Sequence, residues 1–168
     1  CYLGTWVLAR GGSPLAYSAY TLVQAGATHG TSMLLGEWWR VVTSVFIHHD
    51  ALHLAFNVYA LASVGPIVER LYGARRMFVM YVLAGAGSMA LSTLWYVAVT
   101  PAVPFLRDGL FMVSAGASGA VCGMIGAAWV GAKRPPFHVP ALALAMQRWV
   151  VVLVMWGVAV PGINNAAH

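Results

Sequence analysis

The chain has 168 residues, of which 61% are apolar and only 8% are charged, and its net charge is +5 at neutral pH. Soluble globular domains carry about 25% charged residues, so this composition excludes an ordinary soluble core. The basic residues form no continuous patch but lie at the ends of apolar stretches, which argues against a nucleic-acid-binding surface and is typical of membrane-spanning helices. We therefore expect a lipid bilayer around the chain and no nucleic-acid partner.

Uncharged stretches of helical length predict how the chain crosses the bilayer, since a spanning helix needs roughly 20 mostly apolar residues. We predict one membrane domain over 1–168, made of the end of a first span at 1–9, an outer loop at 10–50, a second span at 51–72, a third at 76–99, a fourth at 118–132, a fifth at 141–160 and the start of a sixth at 163–168. The predicted fold class is an all-α polytopic membrane protein. Because the first and last spans are incomplete, we interpret the chain as part of a longer protein.

The basic residues also predict an orientation, because Lys and Arg are enriched on the cytoplasmic side of membrane proteins. The span ends that we place in the cytoplasm hold Arg70, Arg75, Arg76, Lys133, Arg134 and Arg148. The opposite loops hold Arg10, Arg40 and Arg107, which are offset by nearby acidic residues. We expect an integral protein of a bacterial plasma membrane. The start of the fourth span then faces the outer side.

A serine between small residues opens the predicted fourth span, in Gly116-Ala117-Ser118-Gly119. Glycine lets another backbone approach closely, and the free N–H groups at a helix N-terminus point toward a developing anion. Ser118 is therefore a candidate nucleophile. The alternative is helix packing, because Gly116, Gly119 and Gly123 are small residues at a spacing common in membrane bundles.

The candidate base is His168, which follows the small residues Ala166 and Ala167 in the predicted sixth span. An imidazole at this depth suits a general base for a serine. The alternative is a hydrogen bond from the ring to a backbone carbonyl.

Two uncharged donors, His53 and Asn57, are four residues apart in the predicted second span, which places both on one helix face. Two such donors suit the stabilisation of an oxyanion. The alternatives are an interhelical hydrogen bond and a metal site formed with His48 and His49. We disfavour the metal site because only Asp50 adds an acidic ligand, and we expect no metal or cofactor.

Five motifs follow one another from the outer loop to the last residue. They are Glu37-Trp38-Trp39-Arg40, His48 followed by His53-x-x-x-Asn57, Gly65-x-x-x-Glu69-x-x-x-Gly73, Gly116-Ala117-Ser118-Gly119 and Asn165-Ala166-Ala167-His168. In this order they resemble the rhomboid family of intramembrane serine proteases. The resemblance implies a six-span helix bundle and an endopeptidase that cleaves transmembrane segments of other membrane proteins.

The resemblance also implies a role for each matching position. Ser118 and His168 would form a catalytic dyad, and the oxyanion hole would consist of His53, Asn57 and the Ser118 amide. Structural roles would fall to Trp39, Arg40, His48, Glu69, Gly116 and Gly119. Within the Trp-Arg motif, Glu37 and Arg40 would pair at i,i+3 if that part of the loop is helical.

The chain departs from the family at Cys122, where rhomboids usually have an aromatic residue that packs on the catalytic histidine. Cys122 lies a full helical turn deeper than Ser118, which argues against a cysteine nucleophile. The smaller side chain leaves open an alternative function, namely a catalytically weak or inactive rhomboid-like protein that binds client membrane helices. A small transporter with a polar site at the membrane midplane is a further alternative, but it predicts paired charges within the spans. The candidate site residues are instead uncharged donors and a Ser/His pair, mostly near the outer end.

Overall fold

The computed structural model describes residues 5, 17–99 and 113–159, and most of these residues are helical. His168, the remainder of the predicted sixth span and, apart from residue 5, the predicted end of the first span lie outside the described residues.

The segment predicted as an outer loop contains short regular elements. In chain order they are α1 (Ala19–Ala25), β1 (Thr28–His29), α2 (Gly30–Leu34), α3 (Arg40–Thr43) and a 3-10 turn (Ser44–Phe46). Strand β1 pairs antiparallel with β2 (Val113–Ser114), and Thr28 lies opposite Ser114. The Thr28 hydroxyl also donates to the Ser114 carbonyl over 2.9 Å. This ladder ties the loop to the segment that leads to Ser118, a link that we did not predict.

Four longer helices follow: α4 (Ala51–Tyr72), α5 (Ala74–Val99), α6 (Ser118–Lys133) and α7 (Pro140–Ala159). Helix α4 begins where the Asp50 side chain accepts a hydrogen bond from the His53 backbone N–H over 2.7 Å, which satisfies one free donor of the first turn. It ends at Gly73, whose φ of 84° lets the chain turn directly into α5. Helix α6 has 16 residues and is therefore only about 24 Å long.

Large apolar side chains cover the outward faces of these helices. Helices α4 and α5, over Ala51–Tyr72 and Ala74–Ala98, are each long and apolar enough to cross a membrane. Leu52 and Phe56 on α4 and Leu83 on α5 are 65%, 61% and 66% exposed, which favours hydrocarbon rather than water around the bundle. The described chain is a helical membrane bundle, as predicted.

Helix α6 lies at the centre of the bundle and packs against α4, α5 and α7. The main core consists of Val64 and Val68 from α4, Val121, Met124, Ile125 and Ala128 from α6, and Met146 from α7. At Gly123 a Cβ atom would overlap the Ala84 side chain of α5. The predicted packing role of small residues therefore applies to Gly123, because the two helices approach there too closely for a larger side chain.

Candidate active site

The predicted nucleophile is the first residue of α6. Ser118 is half-buried and follows Ala117, which forms the N-cap with φ −80° and ψ −2°. Before it, Gly116 adopts φ +130°, a conformation that L side chains rarely adopt. The Gly116 N–H donates to the Ser44 carbonyl over 2.9 Å, so the 3-10 turn holds the approach to Ser118 in place.

The imidazole of His53 packs directly against the backbone of Gly116. A Cβ atom on Gly116 would lie 2.6 Å from His53 Cε1 and 3.0 Å from His53 Nε2, closer than van der Waals contact permits. Only glycine leaves room for the ring and also adopts the required φ without strain. The structure thus places His53 beside the turn that presents Ser118.

Asn57 lies one turn further along α4 and is 6% exposed. Its side-chain NH2 donates to the His53 carbonyl over 2.9 Å. Since an amide NH2 carries two protons, this bond leaves a second proton for another acceptor. Asn57 and Ala117 both line a cavity of about 240 Å³.

The cavity connects Asn57 to residues that the sequence did not indicate. Its lining consists of Val45, Phe46, His48, Leu54, Asn57, Val58, Leu61, Tyr81 and Ala117. Six of these nine side chains are apolar, so the polar groups of His48, Asn57 and Tyr81 lie in largely apolar surroundings. Val45, Phe46 and Tyr81 were missed because an apolar residue near a site carries no signal of its own in a sequence that is mostly apolar.

Two further histidine rings surround His53. The His48 and His53 rings form a T-shaped contact, with centroids 5.2 Å apart and planes at 69°. The His49 ring stacks on the His53 ring at 5.9 Å and 26°. Among residues 5, 17–99 and 113–159, no group of three or more His, Cys, Asp or Glu side chains is arranged to hold a metal ion.

Burial keeps His48 uncharged. The side chain is 4% exposed, and neither ring nitrogen has a hydrogen-bond partner of standard geometry within the described chain. Burial, reinforced by the nearby His53 and His49, lowers the pKa of His48 to about 4, while the Phe46 backbone and the Asp50 carboxylate oppose this shift. Burial also lowers the pKa of His49. Both rings are therefore neutral at neutral pH, and no positive charge from them falls on His53.

The family model described as Rhomboid domain matches residues 35–168. The chain belongs to the rhomboid family. It is 35% identical over 150 residues to rhomboid protease GluP of Bacillus subtilis (strain 168), covering 88% of this chain and 27% of GluP. It is 28% identical over 168 residues to rhomboid protease AarA of Providencia stuartii, covering 93% of this chain and 60% of AarA.

Similarity extends to plant proteins. RHOMBOID-like protein 4 of Arabidopsis thaliana is 30% identical over 163 residues, covering 92% of this chain and 36% of the plant protein. The chain therefore spans between about a quarter and three fifths of the length of these three relatives. No solved structure matches this rhomboid chain significantly.

The Trp-Arg motif of this rhomboid links the short elements that precede α4. Arg40 is 8% exposed, and its guanidinium donates to Glu37 over 2.6 Å, so the predicted pair is present. The same group donates to the Val23 and Ala27 carbonyls over 2.6 and 3.1 Å. It also lies 4.6 Å from the centroid of the Trp39 ring. One side chain thus joins α3 to the turn between α1 and β1.

The remaining predicted positions lie along the helices. Glu69 is exposed near the end of α4, and its carbonyl accepts the Gly73 N–H over 2.7 Å. Gly119 is buried in the first turn of α6, and Cys122 is half-buried one turn below Ser118. The distance between Ser118 and His168 falls outside the described residues.

Proposed function

We propose that this chain is the catalytic membrane domain of an intramembrane serine endopeptidase, with Ser118 as nucleophile and His168 as general base. The observation that carries the proposal is the contact of His53 with Gly116, because it brings a hydrogen-bond donor to the turn just before Ser118. Asn57 and Ala117, the residue before Ser118, line one cavity, which supports a second donor near the nucleophile. The rhomboid family match and the relatives named rhomboid proteases support the same reaction.

The proposed reaction is acyl transfer to serine followed by hydrolysis. Ser118 Oγ attacks the scissile carbonyl carbon, and the His168 imidazole takes the hydroxyl proton and passes it to the leaving amine. The tetrahedral oxyanion accepts hydrogen bonds from His53, Asn57 Nδ2 and the Ser118 N–H at the start of α6. Water then attacks the acyl group, with His168 as base, and Ser118 is released. No step needs a metal or cofactor.

The proposed substrate is a transmembrane segment of another membrane protein. The short α6 and the half-buried Ser118 support a site below the membrane surface. A helical segment has its carbonyls engaged in i→i−4 hydrogen bonds, so it must unwind locally before Ser118 can attack.

The proposed orientation places the site toward the outer side of a bacterial plasma membrane. Lys133 ends α6 about 22 Å from Ser118 by helix rise, and Arg75 and Arg76 lie in the first turn of α5. Basic residues favour the cytoplasmic side, which puts Ser118 at the opposite face. The bacterial relatives support this membrane. We also propose that the spans of this rhomboid domain have the limits predicted from the sequence, including those of the first and sixth spans.

Covalent labelling tests the nucleophile directly. The protein is reconstituted in liposomes and treated with a fluorophosphonate, and cleavage of a fluorogenic transmembrane substrate is followed in parallel. Ser118→Ala and His168→Ala should abolish cleavage, and Ser118→Ala should also abolish labelling. Ser63→Ala is the matched control, since Ser63 is an exposed helical serine whose hydroxyl donates to the Tyr59 carbonyl over 2.8 Å. It should retain both activities.

Two results would contradict the proposal. Labelling of Ser118→Ala at the wild-type rate would show that another residue is the nucleophile. A wild-type protein that neither cleaves nor is labelled, yet binds membrane helices, would favour the alternative of an inactive client-binding rhomboid.

A further inference from the structure

The His53 ring is bounded by three groups that restrict its rotation. The Gly116 backbone lies close to Cε1 and Nε2 of the ring, because the glycine has no side chain to separate them. His48 forms a T-shaped contact with the ring, and His49 stacks on it. The Asp50 side chain holds the backbone of His53 through the 2.7 Å hydrogen bond to its N–H.

His48 is the most firmly held of these neighbours. Its side chain is 4% exposed and follows Ile47, which is 3% exposed, in the segment between the 3-10 turn and α4. His49 is only half-buried by comparison. A displacement of the His48 ring would require the surrounding core to open, so this ring can keep a fixed position next to His53.

The contact between His48 and His53 does not depend on hydrogen bonding by His48. Neither nitrogen of the His48 ring has a partner of standard geometry among the described residues. T-shaped ring pairs with centroids about 4.5–7 Å apart are a favourable geometry. The His48 and His53 centroids, 5.2 Å apart, lie in this range.

We propose that His48 is a positioning residue, whose ring holds the His53 imidazole, through their T-shaped contact, in the orientation that donates to the oxyanion. This inference rests on the proposed function, because it assigns His48 an effect on the oxyanion hole. Donors stabilise an oxyanion only within about 2.7–3.1 Å of it, so a His53 ring that turns into vacated space loses its contribution. The shape of the His48 side chain is required and its nitrogen atoms are not.

Two substitutions at one position separate ring shape from ring chemistry. His48→Ala removes the ring that contacts His53. It should lower kcat about 10- to 100-fold with KM nearly unchanged, as expected for a partly lost transition-state interaction. His48→Phe restores an aromatic ring without nitrogen atoms next to His53, and should bring kcat to within about threefold of wild type. His138→Ala is the control, since His138 is exposed in the loop before α7. Turnover and fluorophosphonate labelling are measured for all variants in liposomes.

A second pair of variants distinguishes positioning from general structural support. In a His53→Ala background, His48→Ala should cause no further loss of rate, because the group that it positions is already absent. Equal losses in both backgrounds would overturn the proposal, as would equal rates for His48→Phe and His48→Ala. Wild-type kcat in His48→Ala would also overturn it. Failure of the proposed function is distinct, because the wild-type protein itself would then neither cleave nor be labelled.

Discussion

Replacing Gly116 with alanine disturbs the contact on which the candidate site depends. The new methyl group would lie 2.6 Å from His53 Cε1 and 3.0 Å from His53 Nε2. The same position has φ +130°, so an alanine is strained even if the ring moves away. Both effects act on the turn that presents Ser118.

The magnitude follows from these two effects. A residue held in a sparsely populated backbone region costs roughly 1–3 kcal/mol, which is the loss of unfolding free energy that we expect. Because carbon atoms pack at about 3.5–4.0 Å, relief of the overlap moves the His53 ring by about 1 Å. A donor displaced this far no longer meets the oxyanion. Loss of one such donor lowers kcat about 10²- to 10³-fold, so we expect a decrease of about 100-fold or more.

The assay is cleavage of a fluorogenic transmembrane substrate in liposomes, with thermal unfolding measured on the same preparations. Gly126→Ala is the matched control, because Gly126 also lies in α6 but a Cβ atom there meets no heavy atom within 4 Å. Alanine is favoured over glycine in a helix by about 1 kcal/mol, so the control should be as stable as wild type or more so.

Two outcomes would refute this reasoning. Gly116→Ala with wild-type kcat would mean that the His53 ring has no part in the reaction or tolerates displacement. A loss of rate that is equally large in a His53→Ala background would mean that the glycine acts on Ser118 by another route, since contacting residues should show non-additive effects.

Three further predictions concern the surroundings of the site. Thr28→Val should lower kcat severalfold, because it removes the hydrogen bond to the Ser114 carbonyl that ties β1 to the approach to Ser118. Thr28→Ser should retain this bond and the rate, and an unchanged rate for Thr28→Val would contradict the role of the bond. Arg40→Ala should lower the unfolding temperature clearly more than Glu37→Gln, because the buried Arg40 donates to the carbonyls of Val23 and Ala27 whereas the Glu37 side chain is 41% exposed. Equal shifts in unfolding temperature would contradict a structural role of Arg40 beyond its pair with Glu37. His48 takes up a proton near pH 4 in the folded protein but near 6.5 when unfolded, so the free energy of unfolding should fall by up to roughly 3 kcal/mol as the pH is lowered from 6.5 to 4. His48→Phe should flatten this part of the pH dependence of stability, and an unchanged slope would show that His48 is not the group responsible.

The local features of the site could be predicted from the sequence. The four-residue spacing of His53 and Asn57 places them on one face of α4 because an α-helix has 3.6 residues per turn. Ser118 was expected at a helix start, and α6 begins there. Helix α4 also covers the residues predicted as the second span, since a mostly apolar run of helical length is a local signal.

Contacts between distant segments could not be predicted in this way. Nothing in the order of residues shows that Gly116 has to leave room for His53. Taken alone, the pattern of small residues favoured helix packing. Ser44, whose carbonyl accepts the Gly116 N–H, had no distinguishing neighbours, and the two-residue strands are too short to give an alternating pattern.

The sequence by itself determined that the chain is a membrane bundle, where its main helices lie and which polar side chains are candidates for chemistry. These properties follow from composition and from helical periodicity, which each segment carries independently of the others. Only the tertiary structure decided that His53 lies against Gly116, that Asn57 and Ala117 share a cavity and that His48 is buried without a hydrogen-bond partner of standard geometry in the described chain. The reason is physical: such contacts depend on how close-packed helix surfaces fit together, and a change of one methyl group in either surface alters the fit.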